Sequence, residues 1–199
     1  MAENYVITIS REFGSMGRTI AKKMSEALNI EFYDRDIVEE VSRRMGLPVP
    51  TISDAEEKAS SYFARMFPLG NTTTDLQDQI FTIQKDIIQN LASKERCIIV
   101  GRCADYVLRD YRNHMRVYIY ASYEQRYNNC VNNLMMEPKE AARMIKSVDK
   151  ARKSYHMRYA KYSPKDPKYK DIILDSSFLG IDGTAEYLAE LAKKKFQLD

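Results

Sequence analysis

The sequence predicts an α/β fold in which a parallel five-stranded sheet is covered by helices on both faces. Short runs rich in β-branched or aromatic residues alternate along the chain with segments whose apolar residues recur at helical spacing. Such alternation favours a parallel sheet buried between two layers of helices. With 199 residues, 44% of them hydrophobic, the chain is long enough for one domain with its own core.

Four segments have the composition of strands, and a fifth resembles them more weakly. The four are YVITI (5–9), CIIV (97–100), RVYIY (116–120) and DIILD (171–175), and the weaker fifth is IEFY (30–33). Helical spacing places two groups of apolar residues on single faces. These are Ile20, Ala21, Met24, Ala27 and Leu28 in the first helix, and Ile80, Ile83, Ile87, Ile88 and Leu91 in a later one.

Two long segments depart from the simple alternation. Residues 36–94 have an almost wholly helical pattern, broken at GLPVP and PLGNTTTD, and we expect this insert to pack beside the open end of the sheet. Residues 138–162 form a strongly basic helical stretch, followed by the loop-like YSPKDPKYKD. The final helix is expected to begin at GIDGTAEYL with Asp182 as its N-cap.

Composition excludes several classes of function. The formal net charge is only +3, from 31 basic and 28 acidic residues, which disfavours nucleic acid and leaves small anionic molecules as natural partners. The three cysteines form no CxxC pair and are expected to be reduced thiols. Two isolated histidines give little material for a zinc site or a Ser-His-Asp triad.

The first residues, MAENYVITIS, lack a charged segment followed by a long apolar run. No later stretch approaches the roughly 20 apolar residues that a membrane-spanning helix needs. We therefore expect a cytoplasmic protein that does not interact with membranes.

The stretch EFGSMGRT, from Glu12 to Thr19, lies between the first strand and an amphipathic helix. Compared with the phosphate-binding pattern GxxxxGK[ST], it keeps a glycine at Gly17 and the hydroxyl at Thr19, and it has Arg18 in place of lysine. Backbone N–H groups at such a turn attract phosphate, and Thr19 is a candidate ligand of Mg²⁺. A glycine-rich turn that binds nothing is the alternative. We call Gly14, Ser15, Met16, Gly17, Arg18 and Thr19 the cradle.

Six segments in order resemble the cytidylate-kinase-like family, a divergent branch of the P-loop nucleoside-monophosphate kinases. They are ITISREFGSMGRTIA, FYDRDIV, IIVGRCADYVL, RVYIYA, VDKARKSYHMRY and SSFLGIDGTAEYL, and they span nearly the whole chain. The resemblance implies a three-layer αβα P-loop NTPase fold that uses ATP and Mg²⁺. It also implies that the helical insert, residues 36–94, closes over the acceptor nucleotide and that a basic lid, within residues 138–162, closes over ATP.

The resemblance also implies roles for charged residues, because phosphoryl transfer depends on neutralising negative charge. Arg18 would hold the donor phosphates, and Arg102 would lie beside the acceptor phosphate. Arg152 and Arg158 would close on the transferring group, while Asp34 and Arg35 would face the same crevice. The alternatives are a plain ion pair of Arg102 with Asp105, a turn and helix start at Asp34 and Arg35, and solvated positions for the two lid arginines. At helical spacing, Tyr155, Tyr159 and Tyr162 favour packing over base stacking.

The chain departs from the family pattern at the metal end. Val100 and Cys103 stand where acidic residues are expected, so Asp105 is the nearest carboxylate that could join Thr19 at Mg²⁺. Glu12 lies beside a polyphosphate site, and its only evident explanations are an ion pair with Arg11 or an outward orientation.

These features predict phosphorylation of a nucleoside monophosphate, with CMP or dCMP first. A kinase for another small acceptor and a nucleotide-sensing protein without turnover are the alternatives, although the converging lid arginines favour transfer. Nucleic acid binding by the tyrosine and lysine mixture of residues 150–170 is a weaker alternative. A homo-oligomer is compatible with the sequence, which leaves the oligomeric state open.

Overall fold

The computed structural model describes residues 4–57 and 73–198 and contains a sheet of five parallel strands. The strands lie in the order β2-β3-β1-β4-β5, so β1 is central and pairs with β3 and β4. Their bounds are β1 Val6–Arg11, β2 Glu31–Tyr33, β3 Cys97–Val100, β4 His114–Tyr120 and β5 Ile172–Asp175. All five predicted strands are confirmed, including the weak second one.

Helices connect the strands. They are α1 Gly17–Leu28, α2 Arg35–Met45, α3 Val49–Glu57, α4 Thr73–Lys94, α5 Ala104–Val107, α6 Tyr123–Asn128, α7 Pro138–Ala160 and α8 Ser176–Phe196. Helix α6 continues into a π-helical turn, Asn129–Asn133, and a 3₁₀ turn, Pro167–Tyr169, precedes β5. Helices α2, α3 and α4 occupy the predicted insert, and α7 is the predicted basic segment. The predicted break at PLGNTTTD lies mostly outside the described residues.

The core has two halves, one on each face of the sheet. Val6 packs on one face with residues of α2 and α4, such as Ile37 and Ile88. Its neighbour Ile7 points to the opposite face, where α1 and α8 supply Ile20 and Leu188. Side chains alternate in direction along a strand, so a central strand with both kinds of neighbour must be covered twice. The three-layer αβα arrangement is therefore confirmed.

The last helix begins earlier than the sequence predicted. Helix α8 starts at Ser176, and the Asp175 side chain caps it by accepting a hydrogen bond from the Ser177 N–H at 2.8 Å. Asp182 lies inside the helix and instead pairs with Lys23 of α1, with 2.8 Å between Nζ and Oδ1. Gly180 has φ 69° and ψ −176°, so the glycine-containing sequence marks a break within the helix rather than its beginning.

The three cysteines are buried and unpaired with one another, as predicted. Burial raises the pKa of Cys97 to about 12, so its thiol stays protonated. In the described ranges, none of the helices has both the length and the apolar character that crossing a bilayer requires.

Candidate functional site

A large cavity opens where the carboxyl ends of β1, β2 and β3 meet, which is where parallel sheets usually bind ligands. Its volume is about 680 Å³. The cradle, the end of β2, helices α2 and α3, and the turn after β3 all line it. Of the residues singled out in the sequence, it brings together Gly14, Met16, Gly17, Arg18, Thr19, Asp34, Arg35, Arg102 and Arg152.

The two cradle glycines are required by close packing. Gly14 has φ 78°, and a Cβ at this position would lie 2.7 Å from the carbonyl oxygen of Arg126. A Cβ at Gly17 would lie 2.8 Å from Cβ of Arg11. Both contacts are closer than real Cβ atoms allow, so only glycine lets the loop fold against α6 and β1.

Side chains behind the cradle hold its carbonyl oxygens. Asn129 Nδ2 donates to the oxygen of Gly14 at 2.8 Å, and Ser176 Oγ donates to that of Ser15, also at 2.8 Å. In a trans peptide the N–H points away from the C=O, so the Ser176 anchor on the Ser15 carbonyl directs the N–H of Met16 away from Ser176. The first N–H groups of α1 have no partner within their own helix, and the N-cap Met16 adds no side-chain hydrogen bond. The cradle thus presents amide donors to an anion. Ser15 is fully buried behind the cavity, and its N–H donates to the carbonyl oxygen of Glu12 at 3.4 Å.

Three arginines from three different elements converge on Asp34. Arg102 Nη1 lies 2.6 Å from Oδ1, Arg18 Nε lies 2.6 Å from Oδ2, and Arg11 Nη2 lies 3.8 Å from Oδ1. Burial alone would raise the pKa of Asp34, but the guanidinium groups of Arg102, Arg11 and Arg18 hold it below its usual value. Asp34 is therefore an ionised carboxylate, 4% exposed, that links the arginine of the cradle to the arginine after β3.

A left-handed turn at the end of β3 gives Arg102 its direction. Gly101, Arg102 and Cys103 have φ values of 80°, 53° and 52° in succession. A Cβ at Gly101 would lie 2.2 Å from Nη1 of Arg11. The position of the Arg11 side chain over this turn therefore requires glycine at residue 101. Two non-glycine residues with positive φ side by side are strained, a feature often associated with functional sites.

Arg152 reaches the cavity from α7, whereas Arg158 does not. Arg152 Nη1 donates to the carbonyl oxygen of Arg11 at 3.4 Å. Arg158 instead pairs with Asp78 of α4, with 2.9 Å between Nη2 and Oδ2. Six residues along an α-helix place two side chains about 120° apart around its axis, so both arginines cannot face one cavity. The expectation that Arg158 closes on the phosphoryl group is corrected by this placement.

The aromatic side chains of residues 138–162 pack against neighbouring rings, as the sequence favoured. Tyr159 stacks on Phe81 with ring centroids 3.8 Å apart, and its hydroxyl donates to Asp78. Tyr162 stacks on Tyr169 at 3.7 Å. These rings tie residues 138–162 to α4 and to the 3₁₀ turn.

Asp105 lies in a closed polar cluster away from Thr19. Only 2% exposed, it accepts hydrogen bonds from His156 Nε2 at 3.1 Å and the Tyr162 hydroxyl at 3.3 Å, and it pairs with Lys170. Burial would raise the pKa of Asp105, but His156 and Lys170 hold it far below its usual range. This corrects the expected metal role, because the carboxylate already serves to fasten α5 to α7 and to the segment before β5.

Glu12 has a partner that the sequence did not suggest. Its Oε2 lies 3.4 Å from Nε of Arg126 in α6, not beside Arg11. Arg126 also pairs with Asp149 of α7 and donates to the carbonyl oxygen of Phe13 at 3.2 Å. The Phe13 N–H in turn donates to Asp149 Oδ1 at 2.7 Å. This cluster fastens helix α7 to the residue before the cradle. In the sequence, the only feature that points to Asp149 is its position three residues before Arg152.

Comparison with known proteins gives a family and a fold. The model of the cytidylate kinase-like family matches residues 6–178. The crystal structure of an uncharacterized protein from Eubacterium ventriosum ATCC 27560 is 25% identical, with a TM-score of 0.73, over 96% of this chain and 99% of that chain.

Two further solved structures show the same fold at lower identity. Shikimate kinase from Bacteroides thetaiotaomicron is 14% identical, with a TM-score of 0.56, over 95% of this chain and 98% of that chain. A gluconokinase from Sinorhizobium meliloti 1021 is 13% identical, with a TM-score of 0.50, over 98% of this chain and 97% of that chain. No curated protein sequence matches the chain.

Proposed function

Since this chain belongs to the cytidylate kinase-like family, we propose that it catalyses ATP-dependent phosphoryl transfer to a nucleoside monophosphate, with CMP or dCMP as acceptor. The observation that carries the proposal is the convergence of Arg18, Arg102 and Arg152 with the cradle amides on one cavity. Transfer concentrates negative charge on the moving group, and this cavity supplies amide donors and guanidinium groups for it.

The donor phosphates would lie on the cradle. Amides at the start of α1 and the side chain of Arg18 would bind them, while the Thr19 hydroxyl would be a protein ligand of Mg²⁺. Mg²⁺ commonly takes most of its ligands from phosphates and water, and when bound it would neutralise charge on the donor oxygens. Within residues 4–57 and 73–198, no group of three or more His, Cys, Asp and Glu side chains is arranged to hold a metal ion.

The acceptor would enter from the side of the insert. Helices α2 and α3 line the same cavity through Arg35, Val49 and Pro50, and Asp34 lies at its floor. Arg102 would contact the acceptor phosphate after exchanging part of its contact with Asp34. Arg152, from the lid helix, would complete the positive charge around the transferring group.

Closure of the insert and the lid is part of the same proposal, because phosphoryl transfer must exclude water. The lid helix α7 is already fastened to the loop before the cradle through Asp149 and Arg126. Solution scattering with and without a bisubstrate analogue measures closure of the remaining parts. A radius of gyration that stays the same in both states would contradict it.

A coupled assay of ADP release tests the activity. The acceptor panel contains the nucleoside monophosphates together with small hydroxylated metabolites, and CMP or dCMP is expected to give the highest kcat/KM. Arg102→Lys should lower kcat/KM, because a lysine ammonium cannot donate two parallel hydrogen bonds to the acceptor phosphate, as a guanidinium can. Arg109→Lys, at a half-exposed arginine outside the cavity, is the matched control. Absence of acceptor-dependent ADP across the panel would remove the enzymatic proposal.

A kinase for another small acceptor is the second candidate. Its support is the fold shared with shikimate kinase and gluconokinase. The same panel separates the candidates, since turnover with a hydroxylated metabolite alone would select this second function. Nucleotide binding without any turnover would select the sensing alternative.

A further inference from the structure

A polar side chain lies on the buried face of helix α4, and the proposed function does not use it. Gln84 is 0% exposed and shares this face with Ile80 and Ile88, which lie four residues away on either side and belong to the core. Burying an amide is costly unless it is hydrogen-bonded, and an apolar side chain of the same length would fill the space without that cost. A glutamine at this position therefore indicates a specific hydrogen-bonded arrangement.

Helix α7 supplies a partner for Gln84. The Tyr155 hydroxyl donates to Gln84 Oε1 at 2.8 Å, and Tyr155 is itself only 9% exposed. The Tyr155 ring also meets Phe81 of α4 edge to face, with ring centroids 6.3 Å apart. The ion pair of Arg158 with Asp78 joins the same two helices, but it is exposed and screened by solvent. The buried hydrogen bond therefore constrains the two helices more than the ion pair does.

Arg152 lies between two anchors of helix α7. Asp149, three residues earlier, accepts a hydrogen bond from the Phe13 N–H at 2.7 Å, and Tyr155, three residues later, is held by Gln84. Three residues along an α-helix separate two side chains by about 60° around its axis, so the anchors lie on either side of Arg152. One anchor ties α7 to the residue before the cradle, and the other ties it to the insert. Both oppose a rotation of α7 that would turn Arg152 away from the cavity.

A buried hydrogen bond restricts such a rotation more than apolar packing does. The hydroxyl and the amide satisfy each other only within a narrow range of distances and angles, and rotation would leave both without that partner inside the protein. Apolar side chains of similar volume can repack with little loss. Buried polar contacts can in this way specify one arrangement of neighbouring elements.

We propose that Gln84 and Tyr155 are positioning residues for Arg152. Their hydrogen bond sets the rotation of α7 against α4. Because α4 belongs to the insert, the bond joins the acceptor side of the site to the arginine that completes its positive charge. This inference rests on the proposed function and deepens it, since the two residues act through Arg152 and not by contact with the reacting atoms.

The ADP assay tests the assignment through kcat. Tyr155→Phe keeps the ring and removes the hydroxyl, and it should lower kcat about tenfold, because a small displacement of a catalytic group is costly. The KM values for ATP and CMP should stay within about twofold, since Arg152 acts on the transition state. In an Arg152→Ala background the same substitution should change kcat less than about twofold, because no arginine remains to be positioned. Tyr111→Phe is the matched control: its hydroxyl donates to the Ala92 oxygen of α4 at 2.8 Å, from a segment outside α7.

The double variant Gln84→Met/Tyr155→Phe separates positioning from stability. Replacing both partners of a hydrogen bond by apolar groups of the same shape can be nearly neutral for stability. The urea midpoint should therefore return towards that of wild type, while kcat stays about tenfold lower for want of a directional contact. A merely structural role predicts that kcat recovers together with stability.

A nuclear magnetic resonance measurement tests the positioning without turnover. The Arg152 Nε–H signal of the ligand-free protein, identified by its loss in Arg152→Ala, should shift or broaden in Gln84→Met and stay unchanged in Tyr111→Phe. Absence of ADP formation by the wild-type protein would remove the proposed function, and this signal would still decide the positioning. The assignment is overturned if the signal is unchanged in Gln84→Met, if Tyr155→Phe lowers kcat equally with and without Arg152, or if the double variant recovers kcat.

Discussion

Asp34→Asn tests the arrangement on which the proposed chemistry depends. The substitution keeps the shape of the side chain and removes the one charge that Arg18 and Arg102 each contact at 2.6 Å. Removing one partner from a buried ion pair costs about 3–5 kcal/mol, because the remaining charges stay desolvated. Arg18 is 52% exposed and its share is screened by solvent, so we expect about 3 kcal/mol of lost stability, nearly all of it from Arg102 and Arg11.

The same substitution should strengthen anion binding. Asp34 is an internal anion among three guanidinium groups, and without it an external phosphate can take its place. Inorganic phosphate should therefore bind Asp34→Asn more tightly than wild type. Phosphate at ten times its dissociation constant stabilises a protein by about 1.4 kcal/mol, so the variant should recover nearly half of its loss.

Urea unfolding with and without phosphate measures both effects. Asp36→Asn, an exposed carboxylate in the first turn of α2, is the control and should change little. The folded-state pKa of Asp34 lies below the unfolded value of about 3.9. Its contribution is therefore present above that value and lost as the pH falls towards the folded pKa, and the variant should lack this part of the acid dependence. Equal stabilisation by phosphate in variant and wild type would refute the view that Asp34 occupies an anion position.

Four further predictions concern single side chains. Arg18→Ala should weaken ATP binding, and an unchanged dissociation constant would remove the cradle assignment. Arg152→Ala should lower kcat roughly 10²–10³-fold in the ADP assay. Arg158→Ala should leave kcat unchanged and cost below about 1 kcal/mol in urea unfolding, since its ion pair is exposed. Burial lowers the pKa of His114 to about 4, so stability should fall by up to about 3 kcal/mol between pH 6.5 and 4, and urea midpoints of His114→Gln should lack that slope.

The sheet could be predicted because its strands carry local signals. Cys97–Val100 is buried throughout, as a continuous apolar run in a parallel sheet should be. The weak signal of β2 also has a physical reason: it is a three-residue edge strand with a partly exposed pattern. The order of the strands carries no comparable signal, since it depends on contacts between segments far apart in sequence.

Some residues of the candidate site could likewise be predicted from local sequence, and others could not. The cradle is one contiguous segment, so its composition identifies it, whereas residues 13 and 149 meet only after the chain has folded. The expectation for Arg158 rests on the basic charge of the helix and leaves out the angular position of this side chain around the helix axis. Asp105 was assigned by nearness in sequence to the end of β3, although the left-handed turn there leads it into a closed cluster with Lys170. Nearness in sequence does not predict nearness in the fold where a tight turn reverses the direction of the chain.

The contact of Arg18 with Asp34 explains why an arginine can stand where the phosphate-binding pattern has lysine. A lysine ammonium is a single point charge, but a guanidinium has several N–H groups along a rigid plane. Arg18 contacts Asp34 through its Nε, at 2.6 Å, and a guanidinium carries two further nitrogens in the same plane. The residue can therefore stay in place through one edge and bind phosphate through another. Arg102 shares the same carboxylate, so a phosphate that draws on either arginine alters the electrostatic surroundings of both. Asp34 thereby couples the proposed donor and acceptor positions.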